Sequence, residues 1–443
     1  MIKPWAVLGL LAAGWLGATS NCSAQVVGGI VSQEEAERHG LTRAWYMQAD
    51  LDRAAGKIVD VTLNGGTLFV QTDRARLQAI DAETGETRWS VTVGNERYPC
   101  TVPGASADFV ATINGSTLYV IDRKTGRESW NKQLPNVTAT GPAVSATHVF
   151  VPMVNGSIFG YDLLKPDAIP FRYKSFGRIL VQPVATPDTL SWTTEDGYLY
   201  LMSLADPEHL AVNFRLETND RIESRPGYWT PLLYGVSLDG YVYAVHEETG
   251  RIEWKYSTAE PIVEAPIAVN GRVYVCAERG GMFCLDGVTG AEQWYAPNVT
   301  QFISASPTRV YGSDRLNRLL ILDGKSGARL DMIPLPGVTR KLHNTKSDRI
   351  YITTAQGVVQ CLHEAELTEP VLYTPPPLKV EEKPKTVQKG LPADEEAPAA
   401  ETDEEMPAEE PAVEEDNPFG EPAEAADEQP REEAMEEDDN PFG

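Results

Sequence analysis

The side chains with the most reactive chemistry are few and scattered along the chain. Four cysteines follow position 25, at Cys100, Cys276, Cys284 and Cys361, and none forms a C-x-x-C pair. The six histidines form no H-E-x-x-H or H-x-x-E-H motif, and no Cys/His group has zinc-site spacing. Nucleophile-elbow, P-loop and dinucleotide-binding motifs are absent from the sequence as well. The residues therefore predict no catalytic centre, no metal site and no cofactor.

Two of these cysteines lie close together in sequence. Cys276 and Cys284 flank a predicted hairpin turn at Arg279-Gly280-Gly281, so they could face each other across two strands. An oxidising compartment would permit a disulfide between them. Two small apolar side chains filling a sheet would give the same pattern, and both interpretations stay open.

The charge of the chain is concentrated at one end. The 443 residues carry a net charge of −26, and residues 378–443 hold 24 Asp/Glu against 5 Lys/Arg. Nucleic-acid binding needs clustered Lys and Arg to neutralise phosphates, and docking onto anionic lipid needs the same residues. The sequence therefore sets aside nucleic acid and anionic membrane surfaces as partners.

The first 24 residues have the pattern of a secretory signal peptide. Lys3 precedes an uncharged apolar run from Trp5 to Ala18, and Cys22-Ser23-Ala24 has the small-x-small form of a cleavage site. The run is too short for a transmembrane helix. Cys22 raises the alternative of a lipid anchor, but Thr19-Ser20-Asn21 fits a lipid-attachment box poorly. The pattern predicts export to the periplasm or cell envelope, with a soluble mature product and no transmembrane segment.

The elements that would position any site come from an internal repeat. The motif Asp-x-x-Thr-Gly-x-x-x-Trp has four strong copies, one of them with His246 in place of Asp: Asp81, Thr84, Gly85 and Trp89; Asp122, Thr125, Gly126 and Trp130; Thr249, Gly250 and Trp254; Asp286, Thr289, Gly290 and Trp294. Weaker copies start at Asp162, Ser203, Asp323 and His363. These eight anchor positions lie about 40 residues apart, which is the period of a repeat architecture.

Each repeat unit reads as four short strands. In one unit, apolar runs at 108–112 and 118–121 surround Asn114-Gly115, the dipeptide of tight hairpins. The same place in other units is assigned to Asn64-Gly65-Gly66, Asn155-Gly156, Asp196-Gly197, Asp239-Gly240 and Gly280-Gly281. The anchor Asp is expected to accept hydrogen bonds from the turn that it opens, with Gly in the left-handed position. The anchors His246 and His363 are expected to cap their turns in the same way. The Trp begins the outermost strand, where its ring can pack on the neighbouring unit.

Four-stranded units of this length stack radially into a β-propeller. Prolines lie 20 residues before four of the anchors, and proline suits an innermost strand because that strand is a sheet edge: Pro142, Pro183, Pro226 and Pro266. The last unit lacks an outer strand, and Trp45 lies in a strand that precedes any unit of its own. That strand is predicted to complete the eighth blade and close the ring. The predicted fold is all-β: an eight-bladed propeller of four-stranded antiparallel blades over residues 42–367, after an N-terminal segment at 25–41.

The repeat motif resembles the tryptophan-docking repeat of the PQQ-like eight-bladed propellers. That superfamily contains the quinoprotein alcohol dehydrogenases and the BamB outer-membrane assembly family, and the resemblance covers residues 42–367. It implies the propeller fold, whereas function needs separate evidence because propellers host many unrelated activities. Within the superfamily, the chain is most similar to the BamB-like, non-enzymatic members.

The resemblance leaves an enzyme and a scaffold to compare. Quinoprotein enzymes of this superfamily hold PQQ and calcium in the channel, with a disulfide between adjacent cysteines and a calcium-binding Glu/Asn/Asp set. This sequence has no Cys-Cys dipeptide, and no segment matches those ligands. The favoured prediction is a non-catalytic, exported scaffold that binds other envelope proteins and uses no cofactor. The alternatives are a PQQ-dependent dehydrogenase and a cell-surface interaction protein unconnected with assembly.

The composition changes near the end of the last repeat. Residues 368–443 are rich in Pro, Glu and Ala and offer almost no aliphatic side chains to bury, which predicts a disordered acidic tail. The pentapeptide Asp-Asn-Pro-Phe-Gly occurs there twice, with these central residues: Asn417, Pro418 and Phe419; Asn440, Pro441 and Phe442. Both copies are candidate partner-binding motifs, and drift in a solubilising tail is the alternative.

Overall fold

The strands of the protein form eight antiparallel sheets of four strands each. A computed structural model describes residues 30–52 and 56–374. Seven sheets consist of four consecutive strands, and the eighth joins the first strand of the chain to the last three. The prediction of an eight-bladed β-propeller is confirmed.

Blades 1 to 4 contain the following strands, named within each blade from the channel outward: β2 Ile58–Asn64, β3 Thr67–Thr72, β4 Arg76–Asp81 and β5 Thr87–Thr92; β6 Gly104–Ala105, β7 Phe109–Asn114, β8 Thr117–Asp122 and β9 Glu128–Gln133; β10 Ala143–Val144, β11 His148–Pro152, β12 Ser157–Asp162 and β13 Phe171–Lys174; β14 Val184–Ala185, β15 Thr189–Thr193, β16 Tyr198–Ser203 and β17 Ala211–Glu217.

Blades 5 to 8 contain the remaining strands in the same order: β18 Gly227–Trp229, β19 Leu232–Val236, β20 Tyr241–His246 and β21 Ile252–Ser257; β22 Ile267–Val269, β23 Arg272–Ala277, β24 Gly281–Asp286 and β25 Glu292–Pro297; β26 Gln301–Ala305, β27 Arg309–Ser313, β28 Arg318–Asp323 and β29 Arg329–Pro334; β30 Val338–Lys341, β31 Ile350–Thr354, β32 Val358–Glu364 and β1 Leu41–Gln48.

The two ends of the repeat region meet in blade 8. Strand β1 pairs antiparallel with β32, with Leu41 opposite Glu364 and Gln48 opposite Val358. A short helix, α1 Gln33–Arg38, precedes β1 and is capped by Ser32, whose hydroxyl accepts from the Glu35 N–H at 3.1 Å. The N-terminal strand is therefore the outer strand of the last blade.

The core lies between neighbouring blades. The second strands β3, β11, β15 and β19 are buried along their whole length, whereas the outer strand β9 alternates between exposed and half-buried residues. A middle strand touches a neighbouring blade with each of its faces, so it is buried on both, even where it carries hydroxyl side chains as in β15. In one such layer, Leu199 and Leu201 of blade 4 pack with Leu233 and Tyr243 of blade 5.

The chain direction gives the ring two different faces. The connectors from an outer strand to the next inner strand lie on one face, together with the turns between second and third strands; we name it the connector face. The turns between third and fourth strands, which open at the anchor positions, lie on the other face, which we name the docking-turn face. Any site on the rim belongs to one of these two surfaces.

The turns assigned from Asn-Gly and Gly-Gly dipeptides do not all occupy the same place. Asn114-Gly115 joins β7 to β8, with Gly115 at φ 62°. Asn64-Gly65-Gly66 instead joins β2 to β3 on the opposite face, so its assignment to the same turn is wrong. The corresponding turn of blade 1 has Ala75 at φ 55°. Tight hairpins favour Asn-Gly wherever they occur, so the dipeptide does not identify which turn it makes.

The inner strands are short and follow the prolines directly. Pro142, Pro183, Pro226 and Pro266 each immediately precede the first residue of an inner strand, in blades 3 to 6. A proline here withholds no hydrogen bond from a ladder, because an inner strand has a partner on one side only. The residues before three of these prolines, Gln182, Arg225 and Ala265, line the wall of the channel.

Candidate functional site

The strong copies of the repeat motif build turns on the docking-turn face. In blade 2, Asp122 Oδ1 accepts from the backbone N–H of Thr125 at 2.8 Å and from its hydroxyl at 2.7 Å, and Gly126 follows at φ 71°. The hydroxyl and the backbone N–H of Thr125 hold the pKa of Asp122 below its usual range. The carboxylate therefore stabilises the turn in its ionised form.

The same turn recurs in other blades. Asp81 Oδ1 accepts from the Thr84 N–H at 2.9 Å, and Asp286 Oδ1 accepts from the Thr289 N–H at 2.8 Å. The weaker copy at Asp323 uses a serine hydroxyl in place of the threonine hydroxyl, at 2.7 Å. The repeat motif is thus a structural element and brings no reactive groups together.

Each motif Trp places its indole over a turn of the following blade. The indole N–H donates to a backbone carbonyl there in four cases: Trp89 to Arg123 at 2.7 Å, Trp130 to Leu163 at 2.9 Å, Trp254 to Gly287 at 3.0 Å and Trp294 to Gly324 at 3.2 Å. The motif glycine admits the ring, because a Cβ on Gly126 would lie 2.7 Å from Trp89 Cδ2. A Cβ on Gly290 would lie 2.6 Å from Trp254 Cδ2.

Two blades have His at the anchor, and the two histidines behave differently. His246 Nδ1 accepts from the Glu248 N–H at 3.3 Å, so it caps its turn, which Thr249 and Gly250 complete. His363 Nδ1 lies 2.7 Å from the carbonyl oxygen of the next residue, so for His363 the expected capping role is wrong.

Next to each of these histidines is a buried glutamate. Glu247 accepts from the hydroxyl of Tyr228 at 3.2 Å and from Thr230 Oγ1 at 2.7 Å. Glu364 accepts from the hydroxyl of Tyr311 at 2.9 Å. Both carboxylates are satisfied by neighbouring side chains, so each is a packing feature of its blade junction.

Trp45 occupies the docking place between blade 8 and blade 1. Its ring lies over Gly85, where a Cβ would be 2.6 Å from Trp45 Cδ2, and it packs against Tyr351 with ring centroids 6.1 Å apart. The last junction of the ring thus has the same construction as the four internal junctions with a motif Trp.

Arg349, with its side chain 2% exposed, links three segments near this junction. Its Nε lies 3.1 Å from a carboxylate oxygen of Glu83 in blade 1, and Nη1 lies 3.3 Å from Asp348. Nη1 and Nη2 donate to the carbonyls of Leu367 and Thr368 at 3.0 and 2.8 Å. Arg349 therefore fastens the segment after β32 to both ends of the ring.

The cysteines in the described part of the chain are all free. Cys276 lies opposite Met282, and Cys284 lies opposite Tyr274, so the interpretation that the two cysteines face each other is wrong. Burial raises the pKa of both thiols to about 12. They are small apolar side chains inside blade 6, as the alternative interpretation held.

The channel along the ring axis contains a cavity of about 580 Å³. It lies where the connectors enter the inner strands, and its lining includes Gln182, Arg225 and Ala265, which precede the prolines of blades 4, 5 and 6. Arg340 and His343 of blade 8 line it as well. Sequence reasoning did not single out these residues, although the position before each proline was the available signal.

The residues of the channel do not fit the calcium site of quinoprotein enzymes. Calcium takes six to eight oxygen ligands. The acid on the blade 1 wall, Asp60, is already 3.3 Å from the Arg340 guanidinium. Across residues 30–52 and 56–374, no three His, Cys, Asp or Glu side chains group closely enough to hold a metal ion. No reaction step through PQQ is therefore derived for this chain.

Four exposed apolar side chains lie on three consecutive connectors, and we name them the apolar arc: Tyr98 (55% exposed), Val137 (67%), Phe176 (63%) and Leu180 (42%). Phe176 packs against Tyr198 with ring centroids 6.0 Å apart, and the Arg215 guanidinium lies over it at 5.2 Å. Sequence reasoning missed this surface, because single apolar residues in polar loops carry no periodic signal.

Several residues singled out from the sequence lie outside the described part of the chain. These are the signal-peptide residues with Cys22, and the two tail motifs: Asn417, Pro418 and Phe419; Asn440, Pro441 and Phe442. Among the residues that are described, no helix is long and apolar enough to cross a membrane.

Comparison with known proteins agrees with this geometry. The family described as "Outer membrane protein assembly factor BamB" matches residues 33–165 and 181–379. The chain belongs to the BamB family. No curated protein matches the chain.

Two solved structures show how far the likeness to other proteins extends. BamB from Moraxella catarrhalis is similar with a TM-score of 0.58 and 16% identity, over 73% of this chain and 99% of that one. The computationally designed Ika8 protein gives 0.55 and 14% identity, over 70% of this chain and 96% of that one. At these identities the likeness shows the fold alone, so what this BamB-family member binds is argued from its own surfaces.

Proposed function

We propose that this BamB-family chain is an exported, non-catalytic scaffold that binds another protein of the cell envelope through its connector face. The description of its family as an outer-membrane protein assembly factor supports an envelope role. The signal-peptide pattern of residues 1–24 supports export. The single observation that carries the proposal is the apolar arc.

Exposed apolar residues are common on protein surfaces, but a grouped set marks an interaction site. The arc spans three successive connectors, from blade 1 to blade 4. The next connector is different, because it presents Asn219, Asp220 and Arg221 to solvent. That connector therefore differs from the three of the arc, while Leu316, 72% exposed in the turn between β27 and β28, is an isolated apolar side chain elsewhere on this face.

The arc rests on a rigid support. The carbonyl of Val137 accepts from the Val154 N–H at 2.9 Å, and the carbonyl of Arg178 accepts from the Glu195 N–H at 3.0 Å. Each bond ties a connector to the turn between the second and third strands of the following blade. Because the connectors are held before a partner arrives, less conformational entropy is lost on binding.

The chemistry of the arc indicates what kind of partner it fits. Tyr98 and Phe176 are aromatic, and Arg215 lies over the Phe176 ring. Aromatic residues and Arg are the side chains that most often dominate binding energy at interfaces. We therefore infer a partner that presents apolar side chains on a surface or an extended segment.

The acidic tail offers a second contact for a partner of the same compartment. Phe419 and Phe442 lie in identical pentapeptides, separated by the 18 residues Glu421–Asp438. The composition of these 18 residues predicts a flexible spacer, for which the mean reach would be about 25 Å. Two weak sites so joined gain roughly 10²–10⁴ in avidity on a partner with two pockets. We propose the two pentapeptides as a bivalent docking motif.

The two alternatives differ from the scaffold in ways that can be measured. A quinoprotein dehydrogenase would oxidise alcohols in a dye-linked assay after addition of PQQ and calcium, and we expect no such activity. A cell-surface interaction protein would use the same arc but would not capture outer-membrane barrels from envelope fractions. The chemistry of the connector face supports binding of another protein. The identity of the captured partner would show whether the chain acts in outer-membrane protein assembly.

The test is affinity purification of the tagged chain from envelope fractions, followed by mass spectrometry. Val137→Glu and Phe176→Glu place a charge in the apolar arc and should abolish capture of the main partner. Ile169→Glu is the matched control, since Ile169 is 97% exposed on the docking-turn face. Capture of the same partners by all three variants would contradict the proposal. Loss of outer-membrane barrels from the captured partners would indicate that the scaffold acts in outer-membrane protein assembly.

A further inference from the structure

Phe176 of the apolar arc is exposed, yet its backbone is attached to the core of blade 4. The Phe176 N–H donates to the hydroxyl of Tyr200 at 2.9 Å. Ser175, the residue before it, accepts from the indole N–H of Trp192 at 2.8 Å. Tyr200 and Trp192 are fully buried, and their rings stack with centroids 5.2 Å apart. The point from which the Phe176 side chain projects is therefore fixed.

The ring of Phe176 is contacted by two groups from the strands of blade 4. Tyr198 of β16 packs against it with ring centroids 6.0 Å apart, and the guanidinium of Arg215 in β17 lies 5.2 Å from its centre. The same guanidinium lies 4.9 Å from the centre of the Tyr198 ring. A cation is attracted to the face of an aromatic ring at such distances. One guanidinium therefore contacts both rings and can hold the exposed ring beside the other.

Blade 5 has a cation and two tyrosines in the same arrangement. Lys255 of β21 lies opposite Tyr243 in the ladder, as Arg215 lies opposite Tyr200 in blade 4. Lys255 Nζ lies 3.6 Å from the centre of the Tyr241 ring and 4.6 Å from the centre of the Tyr243 ring. A cation of the outer strand over two tyrosines is therefore shared by these blades, and it does not require an aromatic side chain on the connector.

The two blades differ in the connector that leads into them. The connector into blade 4 begins with Ser175, whose N–H donates to a glycine carbonyl at 2.8 Å, and Phe176 follows it. The connector into blade 5 begins with Thr218, whose N–H donates to a glycine carbonyl at 2.9 Å, and the exposed residue that follows is Asn219. Of the two cations, Arg215 alone therefore lies over an exposed apolar side chain of a connector.

We propose that Arg215 is a positioning residue for partner binding, which holds the Phe176 ring in the orientation on which an apolar side chain of the partner protein packs. The inference rests on the proposed function of the apolar arc. A free aromatic side chain loses rotamer freedom when a partner binds, whereas a ring that is already held loses less. Aromatic side chains are among those that dominate binding energy at interfaces, so their fixation matters most. Phe176 is thus the preformed anchor of the arc.

The first test needs no partner. The chain is labelled with fluorinated phenylalanine, and the fluorine NMR signal of residue 176 is assigned by its absence in Phe176→Leu. Arg215→Gln should move this signal toward that of the free amino acid, and Arg215→Lys should keep it near its position in the parent chain. Lys255→Gln is the matched control, because it removes the cation of blade 5 and leaves the contacts of Phe176 intact. An unchanged signal in Arg215→Gln would overturn the proposal.

The second test measures the dissociation constant of the main partner identified by the affinity purification. Arg215→Gln should raise this constant about twofold to tenfold, the range that ordering one free side chain on binding costs. Arg215→Lys should restore most of the affinity, and Lys255→Gln should leave it unchanged. Thermal unfolding of each variant checks that it is folded. Equal losses of affinity in Arg215→Gln and Lys255→Gln would indicate a merely structural role and would overturn the proposal.

The positioning role and the proposed function fail in different ways. If Phe176→Glu captures the same partners as the parent chain, the apolar arc is not the binding site, and both are contradicted. If Phe176→Glu loses the main partner but Arg215→Gln binds it as tightly as the parent chain, the arc remains the binding site and the positioning role of Arg215 is overturned.

Discussion

The indole nitrogen of Trp45 donates a hydrogen bond to the carbonyl oxygen of Ala82 at 3.0 Å. Trp45 belongs to the first strand of the chain, and Ala82 belongs to the turn between the third and fourth strands of blade 1. Because β1 is also the outer strand of blade 8, this bond joins the last blade to the first. The ring is therefore closed by the same Trp-to-carbonyl contact that forms at four of its internal junctions.

Removal of the closing strand should open the ring. Deleting residues 42–50 removes Trp45 and leaves β32 as a bare strand edge. Loss of a large aromatic from a packed site costs about 3–5 kcal/mol, and an unpaired edge favours aggregation. We expect a lower melting temperature and higher-order species in size-exclusion chromatography. Trp45→Phe keeps an aromatic ring but loses the N–H donor, so its melting temperature should fall much less. A deletion variant that stays monomeric with an unchanged melting temperature would contradict closure of the ring by β1.

The motif glycines should be more sensitive than other glycines with the same backbone. Gly290 and Gly271 both lie in blade 6, at φ 72° and 73°, but only Gly290 has a Trp ring where a Cβ would go. Gly271→Ala should cost about 1–2 kcal/mol for the left-handed conformation. Gly290→Ala should cost about 1–3 kcal/mol more, because Trp254 is displaced. Equal free energies of unfolding in urea for the two variants would show that the Trp254 indole can dock without a glycine at position 290.

The docking turns should weaken in acid. The Thr289 N–H and hydroxyl hold the pKa of Asp286 below its usual range, so in acid the unfolded chain takes up a proton before the folded one does. The stabilisation is fully present above about pH 4 and is lost as the pH falls through the folded pKa. Asp286→Asn should therefore be less stable than the parent at neutral pH, with a difference that shrinks below about pH 4. Urea unfolding at several pH values measures this; Asp167→Asn, which alters an exposed acid with no bonded partner in the described residues, should show no such trend.

Arg349 should matter far more than a surface arginine. Arg349→Met leaves the Asp348 carboxylate buried without its cation and leaves the Leu367 and Thr368 carbonyls without their donor. Breaking a buried pair in this way costs about 3–5 kcal/mol. Arg251→Met, which breaks an exposed pair with Glu253, should cost less than about 1 kcal/mol. Similar melting temperatures for the two variants would contradict the fastening role of Arg349.

The two tail phenylalanines should act together. In a pulldown with a peptide of residues 410–443, Phe419→Ala or Phe442→Ala should weaken capture of an envelope partner, and the double variant should abolish it, because each motif alone binds through one ring and a turn. A peptide with both phenylalanines kept and Pro422→Ala serves as control. If the double variant retains the same partners, the tail binds through charge alone.

The sequence predicts the fold because one constraint is repeated at each strong junction. The contact between blades 1 and 2 is made by residues that are separate in sequence: Asp122, Gly126 and Trp89. The motif and its spacing therefore identify each blade, its docking turn and the neighbouring blade whose Trp packs on that turn. The assignment of β1 to blade 8 follows from the same logic, since Trp45 has a docking ring and no turn of its own. Where the motif is lost, as at His363, the inferred capping role fails, and His363 Nδ1 instead lies 2.7 Å from the carbonyl oxygen of Glu364.

The candidate sites could not be predicted in the same way. Arg225 becomes a channel residue only when eight inner strands surround one axis, which brings it into one cavity with Arg340 and His343 of blade 8. Tyr98 and Phe176 lie 78 positions apart in sequence and reach the same face of the ring through the order of the blades. Such surfaces form only in the closed ring, so local sequence patterns do not predict them.

The pairing of Leu41 with Glu364 also has a consequence for biosynthesis. A ribosome delivers the closing strand first and its partner strand last, so blade 8 cannot be completed until every other blade has emerged. The turn of blade 1 that contacts Trp45 is synthesised soon after β1. Trp45 can therefore dock on this turn while the rest of the chain is still being made. Synthesis that stops before β32 leaves β1 without its partner strand, and unpaired strand edges favour aggregation.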